Sequence, residues 1–349
     1  MLKHHLLWRI QILHLGTIIP GGFRYAAARA AKRKTGSDPM QYRSWLLVPG
    51  DSDRKLGKAM ATGADIVVVD LADTVAISAK CDARRMAIEW LNAWRRQIIE
   101  SRRLGRWVRI NAMESGQWRE DLMAVVPAAP DGIILPNVSG TEPVLQLAAE
   151  LYELEQANQL PSGSIRIMPV IGTMAHAAFS VAAFADLSLP RISALAWDAE
   201  RLASAIGATR TYDARLGWTG ALALVRAQVL LAAHASGLFA VETCCGPAND
   251  QQMLNGTITD ARADGFSGMI GFHPAQVAEI NKAFSPTAEE LENARRIVAL
   301  FEASPYLSEI QLDRRIVGPQ QLLHAKRLLQ IDTAKEQVPA ARMPILRTA

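Results

Sequence analysis

The sequence lacks the cysteine pattern of disulfide-rich and zinc-binding proteins. Its 349 residues include three cysteines, Cys81 and the adjacent Cys244 and Cys245, and none of them forms a CxxC pair. This number and spacing give neither a disulfide framework nor a metal-ligand set, and they indicate reduced thiols. We therefore expect a cytoplasmic protein.

Long apolar runs and basic surface stripes are also missing. The apolar stretch 5–19 is too short to span a bilayer and is interrupted by Arg9, so we expect no membrane partner. Residues 1–39 contain seven basic residues and one acid, which more than account for the net charge of +4, so the rest of the chain is slightly acidic. We therefore expect no nucleic-acid partner.

The basic N-terminal segment stands apart from the remainder. We expect residues 1–40 to be a disordered extension or a misassigned one, with translation beginning at Met40. A secretory or transit signal is the alternative.

From Gln41 onward, short apolar runs alternate with helical patterns. Half of all residues are apolar, enough for a substantial core. The runs are continuous rather than alternating, which is typical of parallel strands covered on both faces. The eight predicted strands are Ser44–Val48, Asp65–Leu71, Arg106–Ile110, Gly132–Leu135, Ile165–Val170, Ile192–Trp197, Leu238–Val241 and Gly268–Gly271.

Helical periodicity fills the intervals between these strands. The predicted helices are Ser52–Met60, Lys80–Ile99, Trp118–Val126, Pro143–Gln156, Ala175–Phe184, Gly220–His234, Asn249–Ala263, Pro274–Ala283, Thr287–Ala303 and Gln320–Leu329. Eight strand–helix alternations predict a closed (β/α)8 TIM barrel over residues 41–304. Residues 305–349 exceed what a barrel needs, and we expect a C-terminal helical extension that acts as a lid or an oligomer contact.

The active site of such a barrel forms at the carboxyl ends of the strands. The residues at those ends include carboxylates, one arginine and amides, but no Ser-His-Asp arrangement and no lysine suited to a Schiff base. Candidates from this reasoning are Asp70, Asp73, Arg109, Asn137, Thr173, Asp198, Glu200 and Glu242.

Six motifs in order resemble the citrate lyase β-subunit-like family of HpcH/HpaI aldolases. They are VPGDSDRKL (48–56), GADIVVVDLADTV (63–75), WVRINA (107–112), DGIILPNV (131–138), ALAWDAERLASAIG (194–207) and GFHPAQV (271–277). The resemblance covers about Arg43 to Leu329. It implies a carbon–carbon lyase that acts on acyl-CoA substrates with the help of Mg2+, and a homo-oligomer, either a trimer or a hexamer.

The resemblance also implies roles for individual residues. Arg109 is expected to anchor a substrate carboxylate, which a guanidinium can grip in bidentate fashion. Asp70 and Asp73 match the two aspartates of the family's DLEDxV motif near the metal site. Arg43, Gly50 and Ser52 match the opening strand and glycine turn, which the resemblance places near the CoA nucleotide.

Several acidic positions of the family are replaced. Gly172 stands where the family's I-E-T motif has a metal-binding glutamate, and Arg201 stands at the aspartate of its G-A-E-D-L motif. Ala72 and Gly318 likewise stand where the family has acids, and Asn137 replaces a lysine. A guanidinium cannot bind a cation, so we expect no Mg2+ at the inherited positions 172 and 201.

Three consequences remain open at the level of sequence. Arg201 can replace the cation as the electrophile, with Arg109, Asp70 and Asp73 as the other catalytic residues. Alternatively, Asp198, Glu200 and Glu242 rebuild a displaced metal site. In the third case catalysis is lost, and the chain is a non-catalytic binding or regulatory barrel, or a structural subunit of a larger complex.

Overall fold

The computed structural model describes residues 42–95, 104–187, 189–213, 215–244, 250–304 and 306–336. All of them belong to one compact unit. The N-terminal extension predicted at 1–40, the end of the predicted helix Lys80–Ile99 and Cys245 lie outside the described residues. The domain limits predicted above therefore stay predictions.

Eight parallel strands close into a barrel, as the sequence predicts. Each strand pairs with its neighbours along the chain, and the first strand closes the ring against the eighth. In chain order the first to eighth barrel strands are Ser44–Pro49, Ile66–Asp70, Gly105–Arg109, Gly132–Val138, Arg166–Ile171, Ala194–Ala196, Phe239–Thr243 and Gly268–Gly271.

Helices cover the outside of the barrel. The α-helices of the described residues are Asp53–Ala59, Lys80–Arg95, Trp118–Val125, Thr141–Ala157, Ala175–Ala178, Ala199–Ala205, Gly220–Ser236, Gln251–Asp264, Pro274–Ala283, Ala288–Ala303 and Pro319–Glu336. No helix within these ranges is long and apolar enough to cross a membrane.

Side chains alternate between the barrel interior and the layer beneath the helices, because successive residues of a strand point to opposite faces. On the second strand, Ile66 and Val68 join the interior cluster, whereas Val67 and Val69 pack under the helices. Whether a residue is one of the inward-facing or one of the outward-facing residues of its strand therefore decides whether its side chain can reach the mouth of the barrel.

The amino end of the barrel is filled by aromatic rings. Trp45 and Trp107 meet edge to face with their ring centroids 4.9 Å apart. Gly132 makes room for them, since a Cβ atom there would lie 2.5 Å from the ring of Trp107. The interior is thus a packed core, and the open space is confined to the other end.

Two elements near the mouth were not predicted from the sequence. Helix Ala199–Ala205 follows the sixth strand after a gap of two residues, and a two-stranded hairpin joins Tyr212–Asp213 to Gly217–Trp218. The predicted helix Ala175–Phe184 is a short α-helix, Ala175–Ala178, followed by a 3-10 turn, Val181–Ala185.

The C-terminal extension packs on its own small core. A hairpin, Ile310–Leu312 with Arg315–Val317, leads into helix Pro319–Glu336, which packs against helix Ala288–Ala303. The buried residues of this cluster are Ala294, Ile297, Val317, Ala325 and Leu328. A role as a lid or oligomer contact stays a prediction.

Candidate active site at the barrel mouth

A cavity opens at the carboxyl ends of the strands. Apolar side chains of the barrel interior, among them Leu47, Ile134 and Val170, form its floor. Its polar lining comes from strand ends and the loops after them: Arg109, Asn137, Asp198, Arg201 and Thr243. The position of this cavity is the one the fold predicts for an active site.

Asp70 and Arg109 form a two-bond ion pair at the ends of neighbouring strands. The strand register places the two residues opposite each other. Arg109 donates from Nε to Asp70 Oδ1 and from Nη2 to Asp70 Oδ2, both at 2.7 Å. Asp70 is completely buried and also accepts hydrogen bonds from the backbone of Ala72 and from both the backbone and the hydroxyl of Thr74.

This pairing fixes the charge of both groups. Burial by itself would raise the pKa of Asp70, but the charge and hydrogen bonds of Arg109 outweigh it and hold that pKa below its ordinary value. Burial would lower the pKa of Arg109, and the carboxylates of Asp70 and Asp73 raise it instead. Arg109 is therefore a permanent cation whose Nε edge is occupied by Asp70.

Asp73 links Arg109 to Arg201. Its Oδ2 atom lies 2.7 Å from Arg201 Nη2 and 3.5 Å from Arg109 Nη1. The Asp73 side chain is 52% exposed, that of Arg201 32% and that of Arg109 12%. Two guanidinium groups thus converge on one carboxylate oxygen that faces solvent.

Helix Ala199–Ala205, which the sequence analysis did not predict, positions Arg201. Asp198 begins the helix, and its side chain accepts a hydrogen bond of 3.0 Å from the backbone N–H of Arg201. This is the usual role of aspartate at a helix start. Because Arg201 lies in the first turn, its side chain extends over the cavity toward Asp73.

Lys80 supports the loop that carries Asp73. Its buried Nζ atom donates to the carbonyl oxygens of Leu71 and Ala72 at 2.6 and 2.7 Å and to Asn111 Oδ1 at 2.8 Å. Burial lowers the pKa of Lys80, although the carboxylate of Asp70 opposes that effect. The Lys80 amine therefore fixes the backbone on the N-terminal side of Asp73. From the sequence, Lys80 is recognised only as the first residue of a helix.

Gly172 adopts a backbone conformation that disfavours any side chain. Its φ is +69°, and a Cβ atom there would lie 2.5 Å from Val225 Cγ1. The side-chain vector at position 172 therefore points at helix Gly220–Ser236. The neighbouring Thr173 is fully buried, and its hydroxyl has no hydrogen-bond partner among the described residues.

Asn137 lies in the cavity wall in a left-handed conformation. Its φ is +56°, at an irregularity in the pairing of the fourth and fifth strands. Its Oδ1 atom is buried, with no hydrogen-bond partner in the part of the chain that the structure describes. Asn137 thus has an unpaired acceptor atom at the cavity, and its role in substrate binding stays a prediction.

Other predicted residues are not brought to the cavity. Arg43 precedes the first strand and pairs with Asp65 at 2.7 Å and with Ser285 at 2.8 Å. This places it at the amino end of the barrel, opposite the mouth, so it does not lie near a nucleotide bound there. Gly50 and Ser52 do follow the first strand, and Gly50 approaches so closely that its backbone N–H donates to the carbonyl of Asp70 at 2.8 Å.

Glu242 faces the helix layer instead of the cavity. The seventh strand extends through Thr243, so parity directs Val241 and Thr243 inward and Glu242 outward. The carboxylate is fully buried and accepts hydrogen bonds from Trp197 Nε1 and from Arg226 Nε, the latter at 2.6 Å. Burial raises the pKa of Glu242 while the charge of Arg226 opposes this. The expectation that Glu242 binds substrate or metal does not match this environment.

The side chains at the mouth do not fit a divalent cation. Mg2+ requires hard oxygen ligands such as carboxylates. Position 172 has no side chain, Arg201 contributes positive charge, and the Asp198 carboxylate caps a helix. Glu200 is exposed and outside the cavity lining. Within the described ranges, no three His, Cys, Asp or Glu residues are grouped so that they could hold a metal ion.

The closed barrel of eight parallel strands surrounded by helices is a (β/α)8 TIM barrel, and charged side chains line its carboxyl end. Residues 43–274 match the HpcH/HpaI aldolase/citrate lyase family, and the chain belongs to that family.

Relatives with assigned names support the same grouping. The chain is 32% identical over 264 residues to a (3S)-malyl-CoA thioesterase of Cereibacter sphaeroides, covering 75% of this chain and 83% of the relative. It is 29% identical over 287 residues to the citrate lyase subunit beta of Escherichia coli K12, covering 79% and 89% of the two chains. The crystal structure of CitE from Mycobacterium tuberculosis with magnesium, acetoacetate and coenzyme A is similar with a TM-score of 0.64 and 26% identity, covering 84% of this chain and all of that one.

Proposed function

We propose that the protein acts on a carboxylate-bearing CoA ester, as a carbon–carbon lyase or related acyl-CoA enzyme whose chemistry does not depend on Mg2+. The observation that carries this proposal is the convergence of Arg109 and Arg201 on one oxygen position at the barrel mouth. The substrate class is supported by the names of two relatives, (3S)-malyl-CoA thioesterase and citrate lyase subunit beta.

Two fixed guanidinium groups supply what such a reaction needs. Cleavage next to a thioester carbonyl leaves negative charge on an oxygen, and preorganised donors that face this charge lower the barrier. Asp70 holds Arg109 in place from the buried side, so reorientation during the reaction is small. Arg201 is more exposed, and its remaining N–H groups supply donors for the oxyanion beside the position that the substrate carboxylate takes between the two guanidinium groups.

The direct test is turnover with and without metal. Purified protein is mixed with short dicarboxylyl-CoA esters such as malyl-CoA in EDTA or in Mg2+, and the release of free thiol, oxo acid and acyl-CoA is measured. We expect turnover in EDTA that Mg2+ leaves unchanged and that Arg201→Gln reduces at least about 100-fold, the typical effect of removing an oxyanion donor. Absence of turnover with every ester under both conditions would overturn the proposal.

The rival proposal is a binding or regulatory barrel that has lost catalysis. The observation in its favour is that Asp70 and Asp73 together already neutralise both arginines, while Gly172 provides no acid. It predicts that malyl-CoA raises the melting temperature and is recovered unchanged. Product formation in the same sample would exclude it.

We also propose that the protein self-associates as a trimer or hexamer in the cytoplasm. Helix Gly220–Ser236 supports assembly because its charged residue, Arg226, is buried, while Leu224 and Leu231 are 59% and 68% exposed. The cysteine thiols of Cys81 and Cys244 fit a reducing compartment. Sedimentation velocity tests the assembly: Leu231→Glu should dissociate it, and a wild-type monomer would rule it out.

A further inference from the structure

We infer that Asp73 is an internal stand-in for a ligand carboxylate: its Oδ2 atom occupies the anion position between Arg109 and Arg201, and a carboxylate ligand binds by displacing it. This inference rests on the proposed function for the substrate class. It is tested by binding alone, so its failure differs from a failure of turnover.

The geometry identifies one anion position rather than two separate ion pairs. The same oxygen, Asp73 Oδ2, is the one in contact with Arg201 Nη2 and nearest to Arg109 Nη1. This position borders the cavity, since both arginines line it. A carboxylate oxygen that enters the cavity reaches the same donors at the same point.

The two aspartates of the loop differ in whether they can leave. Asp70 is fully buried and bonded to Arg109, Ala72 and Thr74, so no rotation frees it. The Asp73 side chain is half exposed, and within the described residues its ion pairs are those with Arg109 and Arg201. Rotation about its side-chain bonds moves it into water without a cavity being opened in the core.

The loop backbone does not need to move with Asp73. Lys80 Nζ holds the carbonyl oxygens of Leu71 and Ala72, and Asp70 holds the backbone N–H of Thr74 at 3.1 Å. The chain is thus tied down on both sides of residue 73. Displacement is a rotamer change, and the rest of the site keeps its shape.

Charge balance makes the exchange specific for anions. The cluster of two guanidinium groups and two carboxylates is neutral, so this cluster gains one positive charge when Asp73 turns away, while the Asp198 carboxylate in the cavity lining stays in place. A single ligand carboxylate restores neutrality. A tethered group competes at an effective concentration of about a millimolar or more, so a free acid such as malonate binds weakly, and a CoA ester binds more tightly because it makes additional contacts.

Calorimetric titration of the full-length protein with malonate in EDTA tests the inference. We expect Asp73→Asn and Asp73→Ala to bind malonate at least about tenfold more tightly than wild type, which is about 1.4 kcal/mol. Arg201→Gln should bind at least about tenfold more weakly. Malonyl-CoA as a second ligand shows whether the carboxylate of a CoA ester uses the same position, in which case its affinity changes in the same direction in each variant.

A control variant that also removes one negative charge separates the displacement of Asp73 from a general electrostatic effect on malonate affinity. Asp51 is an exposed acid in the loop after the first strand, and among the described contacts it pairs with neither arginine. Asp51→Asn should leave malonate affinity within about twofold of wild type. Equal tightening in Asp51→Asn and Asp73→Asn, or weaker binding in both Asp73 variants, would overturn the inference, and melting temperatures establish that each variant is folded.

Discussion

Arg201 Nη2 lies 2.7 Å from Asp73 Oδ2, so the helix after the sixth barrel strand and the loop after the second are joined by an ion pair across the mouth. The contact places a fixed positive charge where resemblance to the family predicts a metal-binding acid. Guanidinium groups remain charged at any pH relevant to a folded protein. The charged groups at the mouth are therefore Arg109 and Arg201 with the carboxylates of Asp70, Asp73 and Asp198.

The buried pair Asp70–Arg109 should control acid stability. The folded-state pKa of Asp70 lies below its ordinary value of 3.8, so the unfolded chain binds more protons as pH falls through that value. The pair's stabilisation is fully present above this pH and is lost below it. Asp70→Asn should cost about 3–5 kcal/mol at pH 7, because it leaves the Arg109 charge without its partner.

The measurement is urea unfolding of wild type and Asp70→Asn from pH 7 down to pH 3. The difference in unfolding free energy between them should shrink as pH falls toward and below 3.8. Asp82→Asn, at an exposed acid on helix Lys80–Arg95, should match wild type throughout. A difference for Asp70→Asn that stays constant with pH would refute this assignment.

Lys80 should matter for stability although it does not line the cavity. Lys80→Met leaves the carbonyl of Ala72 and the side-chain oxygen of Asn111 without this donor, and the carbonyl of Leu71 keeps only Asn111 Nδ2, so we expect a loss of at least about 2 kcal/mol. Chemical denaturation measures this directly. The exposed Lys58→Met serves as the control, and equal stability of the two variants would contradict the contact geometry.

Replacing Gly172 with the glutamate that the family's motif has at this position should destabilise the folded protein. A left-handed conformation costs a non-glycine residue about 1–2 kcal/mol, and overpacking against Val225 adds about 1–3 kcal/mol. Gly116→Ala is the matched control, since its φ is +73° but nothing lies within 4 Å of its Cβ position. Gly172→Ala should lower the melting temperature more than Gly116→Ala does.

The same strain predicts the outcome of restoring the family's acids. The double variant Gly172→Glu, Arg201→Asp should fail to bind Mg2+ in a calorimetric titration, because the side chain at 172 points at Val225 rather than into the cavity. Stoichiometric Mg2+ binding by this variant would show that the backbone at 172 readjusts easily.

The Arg226–Glu242 pair should behave as a buried structural pair. Arg226 also bonds Asp264 at 2.6 Å, and its guanidinium lies 4.7 Å from the ring centroid of Phe266. Arg226→Met should cost about 3–5 kcal/mol because Glu242 then stays buried without its cation. Adding Glu242→Gln should recover part of the loss, and a double-mutant cycle by urea unfolding measures the coupling; additive effects would contradict direct pairing.

Strand positions could be predicted from the sequence because continuous apolar runs are a strong signal for buried parallel strands. All eight predicted runs coincide with barrel strands, with ends shifted by at most three residues. Those small shifts matter at the site. The seventh strand was predicted to end at Val241, which left Glu242 as a loop residue, whereas its extension to Thr243 turns Glu242 outward.

Contacts between loops could not be predicted in the same way. Arg201 belongs to a short helix whose sole sequence signal is Asp198 as a cap, and its partner Asp73 lies 128 positions earlier in the chain. The sequence periodicity predicts that Lys80 begins a helix, but it does not indicate that the Lys80 side chain is buried. The alternation of side chains along a strand is the sequence signal that would have separated mouth residues from those beneath the helices. It directs Asp70, Arg109 and Asp198 toward the barrel interior.

Titration of the wild-type protein with MgCl2, alone and in the presence of malonate, tests the central claim most directly. With arginine at position 201 and glycine at 172, calorimetry should detect no Mg2+ binding up to millimolar concentrations, while malonate binds equally well in Mg2+ and in EDTA. One Mg2+ bound per chain, with malonate binding that requires it, would contradict the account.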